Sequence, residues 1–259
     1  MNASITDYQG RELASATWKD VEGSIKSGRL SKVILPVGSL EQHGPHLPLG
    51  TDSVIAEYVA RGVHKRCDSA FLMPVVYMGC SGEHMGFPGT ISLQNETLSG
   101  VLFDISKSLL QSGFDRLFVI NGHGGNRATL DATVRKIVDA IPQMRLYSFT
   151  IADIVKQKFE EIRGSARRLV GHADEIETSM MLAIQPDFVK MSEAVKEEPS
   201  LPDALSFEPD DLAKVSFGWN AKSLTKSGVI GDPLLAEAGK GRILLDFAVD
   251  VISATINGL

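Results

Sequence analysis

Residues 116–126 read RLFVINGHGGN, a short apolar run closed by three glycines around one histidine. A run of this length ending in glycine predicts a buried strand, and the amphipathic stretch over 126–141 predicts a helix after it. The same grammar recurs along the chain. Residues 31–38, SKVILPVG, predict a strand, and 52–66 a helix with Thr51 or Asp52 as N-cap. FLMPVVY, at 71–77, is a further strand candidate with Pro74 in its middle. A helix is expected over 97–112, stopped by Gly113, and a strand over 145–150. Further helices are expected at 151–163, 172–184 and 233–256. Strands alternating with helices predict an α/β fold with a mostly parallel sheet covered on both faces. No linker interrupts the pattern, so residues 1–259 are expected to form a single domain. Only 191–226 breaks the rhythm, mixing Glu, Pro, Asp, Ser and Trp219 in a long irregular excursion that suggests a lid or a subunit contact.

Composition narrows the function. The chain of 259 residues carries a formal charge of −6, which argues against duplex nucleic acid or an anionic membrane as partner. No apolar run approaches the roughly 20 residues of a membrane helix, and the polar start lacks a signal-peptide core. Two cysteines, Cys67 and Cys80, cannot build a disulfide framework. A reduced, cytoplasmic setting is expected. Neither a serine-hydrolase elbow nor the glycine spacing of a phosphate loop is present. Cys80 has no local cue for a thiolate nucleophile. Arg163, Arg167 and Arg168 form the one local basic group, a solvated face or an anchor for an anionic substrate.

Chemistry concentrates after the strands. Residues 38–52 read GSLEQHGPHLPLGTD. Glu41 and His43, two apart, point the same way in an extended segment, and Asp52 opens the next helix. Carboxylate and imidazole are ligand types for Zn²⁺, Mn²⁺ or Fe²⁺; a polar turn with a capping aspartate is the plain alternative. His123 falls at a strand's carboxyl end, where open α/β sheets bind ligands. HADEIETS, 172–179, opens an apolar helix. His172 and Glu175 would share one helical face, whereas Glu177 lies about 200° round from Glu175, so the two glutamates do not readily share an ion. GCSGEHMGFPGTIS, 79–92, supplies Ser81, Glu83 and His84 as candidate substrate contacts, or a purely structural turn. His46 is a further possible contact, and His64 reads as a surface residue.

Together these segments resemble the creatininase (creatinine amidohydrolase) family. The likeness runs through Glu41-Gln42-His43-Gly44, Asp52, Phe87-Pro88-Gly89-Thr90, Asn121-Gly122-His123-Gly124-Gly125-Asn126 and Glu177-Thr178-Ser179, over about residues 30 to 190. It implies an α/β three-layer sandwich, a small-molecule amide substrate, a homo-oligomer (creatininase is a hexamer) and two divalent ions per subunit that activate water against a C–N bond. By that resemblance Glu41 and His123 would bind one ion, His43 the other, and Asp52 would bridge. The family's glutamate ligand two residues after the histidine is Gly125 here, and Glu175 is its expected substitute. Gly124 replaces an aromatic substrate contact. His172 is expected to pass a proton to the leaving nitrogen, and Glu177 to orient His172 or the helix rather than bind metal. Alternatives within the family are a formamide hydrolase, a peptide-trimming peptidase and a cyclic-ketone hydrolase of the inosose type. The alternative outside it is a non-catalytic metal- or nucleotide-binding module.

Overall fold

The strands carry apolar side chains on both faces, and the protein covers both. The computed structural model describes residues 11–28, 31–164, 171–199 and 218–259. After helix α1 (Trp18–Lys26), strand β1 (Lys32–Val37) leads to α2 (Thr51–Arg66), and β2 (Ala70–Leu72) to α3 (Asn95–Gln111). Strand β3 (Arg116–Asn121) leads to α4 (Arg127–Ala140), and β4 (Arg145–Thr150) directly to α5 (Ile151–Ile162). Helices α6 (Glu175–Ile184) and α7 (Ala238–Gly258) complete the order. The sheet runs β2-β1-β3-β4, and every pairing is parallel.

On one face Val33, Leu35, Leu117 and Val119 pack against Leu98 and Leu102 of α3 and Leu130 and Ile137 of α4. On the other, Ile34, Phe118 and Ile120 meet Ile55 and Val59 of α2, Val155 and Phe159 of α5, and residues of α6 and α7. The result is a three-layer α/β sandwich, in which each buried Leu or Ile contributes about 1.5–3 kcal/mol. The layers also place the site. After β1 the chain crosses to the α2 face; after adjacent β3 it crosses to the α4 face. Opposite departures from neighbouring strands open a crevice at their carboxyl ends.

Several expectations shift in detail. The strand over 71–77 stops at Leu72, because Pro74 has no N–H to donate; only an isolated Val37–Val76 bridge continues the edge. The helix expected at 172 begins at Glu175, where the Asp174 carboxylate accepts from the N–H groups of Ile176 and Glu177. His172 sits outside it, in an isolated bridge with Ile230. The last helix starts at Ala238, after a short turn at Pro233–Leu235. Helix α1 was not foreseen; a Thr17–Asp20 capping box starts it. Of the excursion over 191–226, residues 200–217, like Arg167 and Arg168, lie outside the described residues. Its described parts hold a 3-10 turn at Met191–Glu193 and a Glu197–Gly231 bridge. At the far end of the sheet the buried Lys32 ammonium donates to the Ile256 carbonyl of α7 at 2.7 Å. Among the described residues no helix is long and apolar enough to cross a membrane.

Candidate metal centre

Asp52 stands at the middle of the crevice. It lies in the first turn of α2, whose N-cap position is Gly50, so its side chain does no capping and is left for the crevice. The end of β3 comes so close that a Cβ on Gly122 would sit 2.3 Å from the Asp52 carbonyl oxygen. Only glycine permits that approach. The two oxygens of Asp52 then face different rings. Oδ1 is 3.1 Å from His43 Nε2, and Oδ2 is 3.0 Å from His123 Nδ1. The Ser39 hydroxyl donates to Oδ2 at 2.6 Å.

Glu41 lies beyond His123, its Oε2 3.2 Å from His123 Nε2. It is fully buried, and neither carboxylate oxygen has a hydrogen-bond partner. An orphaned carboxylate of this kind is costly unless a cation meets it. On the other side of Asp52, Glu177 Oε2 approaches His43 Nε2 at 3.7 Å. Ala173, the one described non-glycine residue with positive φ (51°), aims its N–H at the same Glu177 oxygen at 2.6 Å. The ligand atoms of Glu41, Asp52 and His123 lie within 4.8 Å of one another, as do those of His43, Asp52 and Glu177. Oxygen and nitrogen donors at these spacings suit a divalent cation of the Zn²⁺, Mn²⁺ or Fe²⁺ kind.

Electrostatics agrees with the donor set. Burial alone would depress His43 and His123, yet the carboxylates of Asp52 and Glu177, and of Glu41 and Asp52, outweigh it and hold both rings up to about 10. Burial pushes Glu41 up to about 7 and Glu177 to about 8. Burial works the same way on Asp52, but the two flanking imidazoles overcome it and keep its carboxyl well below the usual range. Glu177 leaves 21% of its side chain open to solvent, while its Oε2 accepts from the Ala173 N–H. The carboxylates draw positive charge to this point, as protons on two rings or as metal ions.

Glu175, the expected substitute ligand, is elsewhere. It accepts from Lys240 Nζ at 2.7 Å and from the Gly164 N–H at 2.8 Å. Two positions along α6, Glu177 turns the opposite way, into the crevice. At Gly125 itself a Cβ would lie 2.4 Å from both the Cys80 carbonyl oxygen and His123 Nε2. That backbone could not carry a side-chain ligand without moving.

His172 joins the site through the Ile230 bridge and not through α6. Its Nδ1 is 3.7 Å from Glu41 Oε1, and its ring packs 4.4 Å from His43 and 4.2 Å from His84. Burial, with His43 and His84 adding to it, holds His172 well below its usual range. The proton-carrier role assumed a shared helical face with Glu175; the structure offers contact with Glu41 instead. His84 Nε2 is 3.4 Å from Glu41 Oε1. Ser81 Oγ is 3.5 Å from His123 Nε2. Glu83 lines an adjoining cleft of about 280 Å³ with Ser92, Gln94, Asn95 and Gly125. Gly124 is exposed, with open space where a side chain would be. His46, buried, bonds Thr178 at 2.9 Å. His64 is a correction: it is 2% exposed, inside the α2 face and away from these groups.

Sequence reasoning gave no role of their own to Gln42, Asn121 and Asn126. Asn126 Nδ2 donates to the Gly38 carbonyl and to Asn121 Oδ1, while Asn126 Oδ1 accepts from Cys80 N–H. These bonds tie the ends of β1 and β3 to the Cys80 loop. The signal was there: both asparagines frame His123 in the NGHGGN motif that closes β3.

Comparison with known proteins gives a consistent answer. The family model described as creatinine amidohydrolase (Creatininase) matches residues 14–256. The chain is 34% identical to the mycofactocin precursor peptide peptidase of Mycobacterium ulcerans (strain Agy99), over 84% of this chain and 81% of that protein. It is 30% identical to the creatinine amidohydrolase of Pseudomonas putida, over 94% and 95%. It is 27% identical to the 3-dehydro-scyllo-inosose hydrolase of Thermotoga maritima, over 96% and 84%. A crystal structure of creatinine amidohydrolase superimposes with a TM-score of 0.80 at 28% identity, covering 96% of this chain and 97% of that one. Related creatininase structures are described as a Zn–Zn type and an Mn form.

Proposed function

The chain belongs to the creatininase family, and from that membership we propose that it is a two-metal amidohydrolase that hydrolyses a C–N bond of a small cyclic or linear amide. One observation carries the two-ion reading: Asp52 offers one oxygen to the His43 side and the other to the His123 side. Glu41 and His123 would complete one ion's protein ligands, and His43 and Glu177 the other's. This replaces the expected ligand Glu175 with Glu177. Bound there, divalent ions supply water activated at neutral pH and polarisation of the amide carbonyl. The protein's own groups do the rest. Glu41 and Asp52 fix the charge of the site, and the buried asparagine ties hold its walls in register. His172 Nδ1, facing Glu41, is placed to take a proton from water and return it to the leaving nitrogen. Water adds across the C–N bond, giving an acid and an amine from a linear amide or one ring-opened molecule carrying both groups from a cyclic amide, and no other reactant is needed.

The peptidase relative, at 34% identity, makes a short peptide the second substrate class to test. A homo-oligomer of this chain in a reduced, cytoplasmic setting accompanies the proposal. The test is metal analysis of protein purified without chelator, followed by a panel of lactams, formamides and peptides. Two transition ions per chain and turnover of one amide class are expected. Full metal content with no hydrolysis across the panel would favour a binding module, and no metal with bound nucleotide would overturn the reading.

A further inference from the structure

Gln42 lies between Glu41 and His43 and carries no charge, yet its amide touches both rings that flank Glu41. Its orientation is fixed. Oε1 accepts from the Gly44 N–H at 2.9 Å, so Nε2 is the end that faces the histidines. Nε2 is 2.8 Å from His84 Nδ1, 2.9 Å from His172 Nε2 and 3.2 Å from the Gly228 carbonyl oxygen. Gly228, at φ +87°, closes the pocket so tightly that a Cβ there would sit 1.9 Å from Gln42 Oε1. The Gln42 backbone is held as well, its N–H donating to Thr90 Oγ1 at 3.0 Å.

Counting protons assigns the bonds. His172 Nε2 lies 2.7 Å from the Gln42 backbone carbonyl, which accepts only, so His172 Nε2 carries a hydrogen. A nitrogen that donates there cannot also accept from the amide. The shorter contact decides: His172 Nε2–H donates to the carbonyl at 2.7 Å, and the 2.9 Å approach of the amide nitrogen to it is a close contact without a hydrogen bond. The two amide hydrogens go to His84 Nδ1 and the Gly228 oxygen. Since the amide nitrogen only donates, His84 Nδ1 holds a lone pair and its hydrogen is on Nε2. We propose that Gln42 holds His84 and His172 in the same Nε2–H tautomer but turned end for end. His84 then turns an N–H toward Glu41 Oε1 from 3.4 Å, short of a hydrogen bond, and His172 turns the Nδ1 lone pair toward the same oxygen from 3.7 Å.

One residue so equips the two sides of one carboxylate with opposite hydrogen-bonding character: a donor on the His84 side, an acceptor on the His172 side. Gln42 is a positioning residue; it acts through the rings. Use of the pair in catalysis rests on the hydrolase reading above, whereas the tautomers rest on the hydrogen-bond geometry.

The experiment reads the rings directly. Full-length protein labelled with ¹⁵N-histidine and loaded with diamagnetic Zn²⁺ is examined by long-range ¹H–¹⁵N correlation, with His84→Ala and His172→Ala giving the assignments. Both rings are expected to show the Nε2–H pattern. In Gln42→Glu the carboxylate only accepts, so His84 is expected to gain a hydrogen on Nδ1 while His172, held by a backbone carbonyl, keeps its pattern. If Gln42→Glu does not fold, Gln42→Met serves instead, and His84 is expected to lose its single-tautomer signature. An unprotonated Nε2 on either ring in the parent protein, or an unchanged His84 in the folded variant, overturns the proposal. Neither result touches the hydrolase reading, which stands or falls on metal content and the substrate panel.

Discussion

The two flanks of Asp52 are built differently. On one, Glu41 and His123 come from the loops that leave β1 and β3, and those loops are tied to each other by Asn121 and Asn126. On the other, His43 faces Glu177, which arrives from a helix far along the chain and depends on the Asp174 cap and the Ala173 turn to aim it. The first flank inherits its geometry from the sheet. The second is assembled from separate layers and leaves Glu177 partly open to solvent. The comparison teaches that one ion site is a by-product of strand order, while the other needs the α6 layer docked.

Asp52→Asn tests what the flanks share, and the effect should be the largest. Metal content is expected to fall from about two ions per chain to less than one, with activity at background. Retention of both ions would show that the flanks do not share Asp52. His123→Ala and Glu177→Gln separate the flanks. Each is expected to lose about one ion of the pair, and full metal content in His123→Ala would sink the assignment. In mild denaturant the Glu177 flank is expected to release its ion first, as followed by a chromogenic chelator.

Glu175→Gln sharpens the contrast within α6. It is expected to keep full metal content while losing about 2 kcal/mol of stability in a denaturant melt, because Lys240 loses its closest carboxylate. Loss of an ion instead would return Glu175 to the ligand set. The smallest effect at neutral pH belongs to His64, on the α2 face outside both flanks, whose contribution changes only in acid. Burial holds its pKa down at about 4, below the ordinary value near 6.5 in an unfolded chain. Between those values the unfolded state binds the extra proton. Stability is therefore fully present above about pH 6.5 and falls by about 1.4 kcal/mol per unit as the pH drops toward 4. In His64→Leu that slope should flatten.

Much of the first flank was legible because local chemistry decides it. A glycine-closed apolar run announces β1 and β3, and whatever follows a parallel strand lands at its carboxyl end. Glu41, His43, Asp52 and His123 could be found that way. The opposition of Glu175 and Glu177 was also legible, since it follows from helical pitch. Which of the two faces the crevice was not. That choice is set by Lys240 and Gly164 drawing Glu175 away, partners distant in sequence. His172 was misplaced onto a helix for the same reason, because its position depends on pairing with Ile230. His64 escaped notice because nothing local marks a histidine that tertiary packing encloses. Gln42 escaped because an amide between two obvious ligands shows its use only when three loops meet around it.

The bond from Lys32 to the Ile256 carbonyl has a consequence for how the protein is made. Lys32 begins β1, and its acceptor lies 224 residues later, in α7. Until α7 has been made, that ammonium lacks this partner, and the α2 face has no α7 to cover it. Closure of this layer is therefore expected only once α7 has emerged, with its apolar surface exposed to chaperones in the interval.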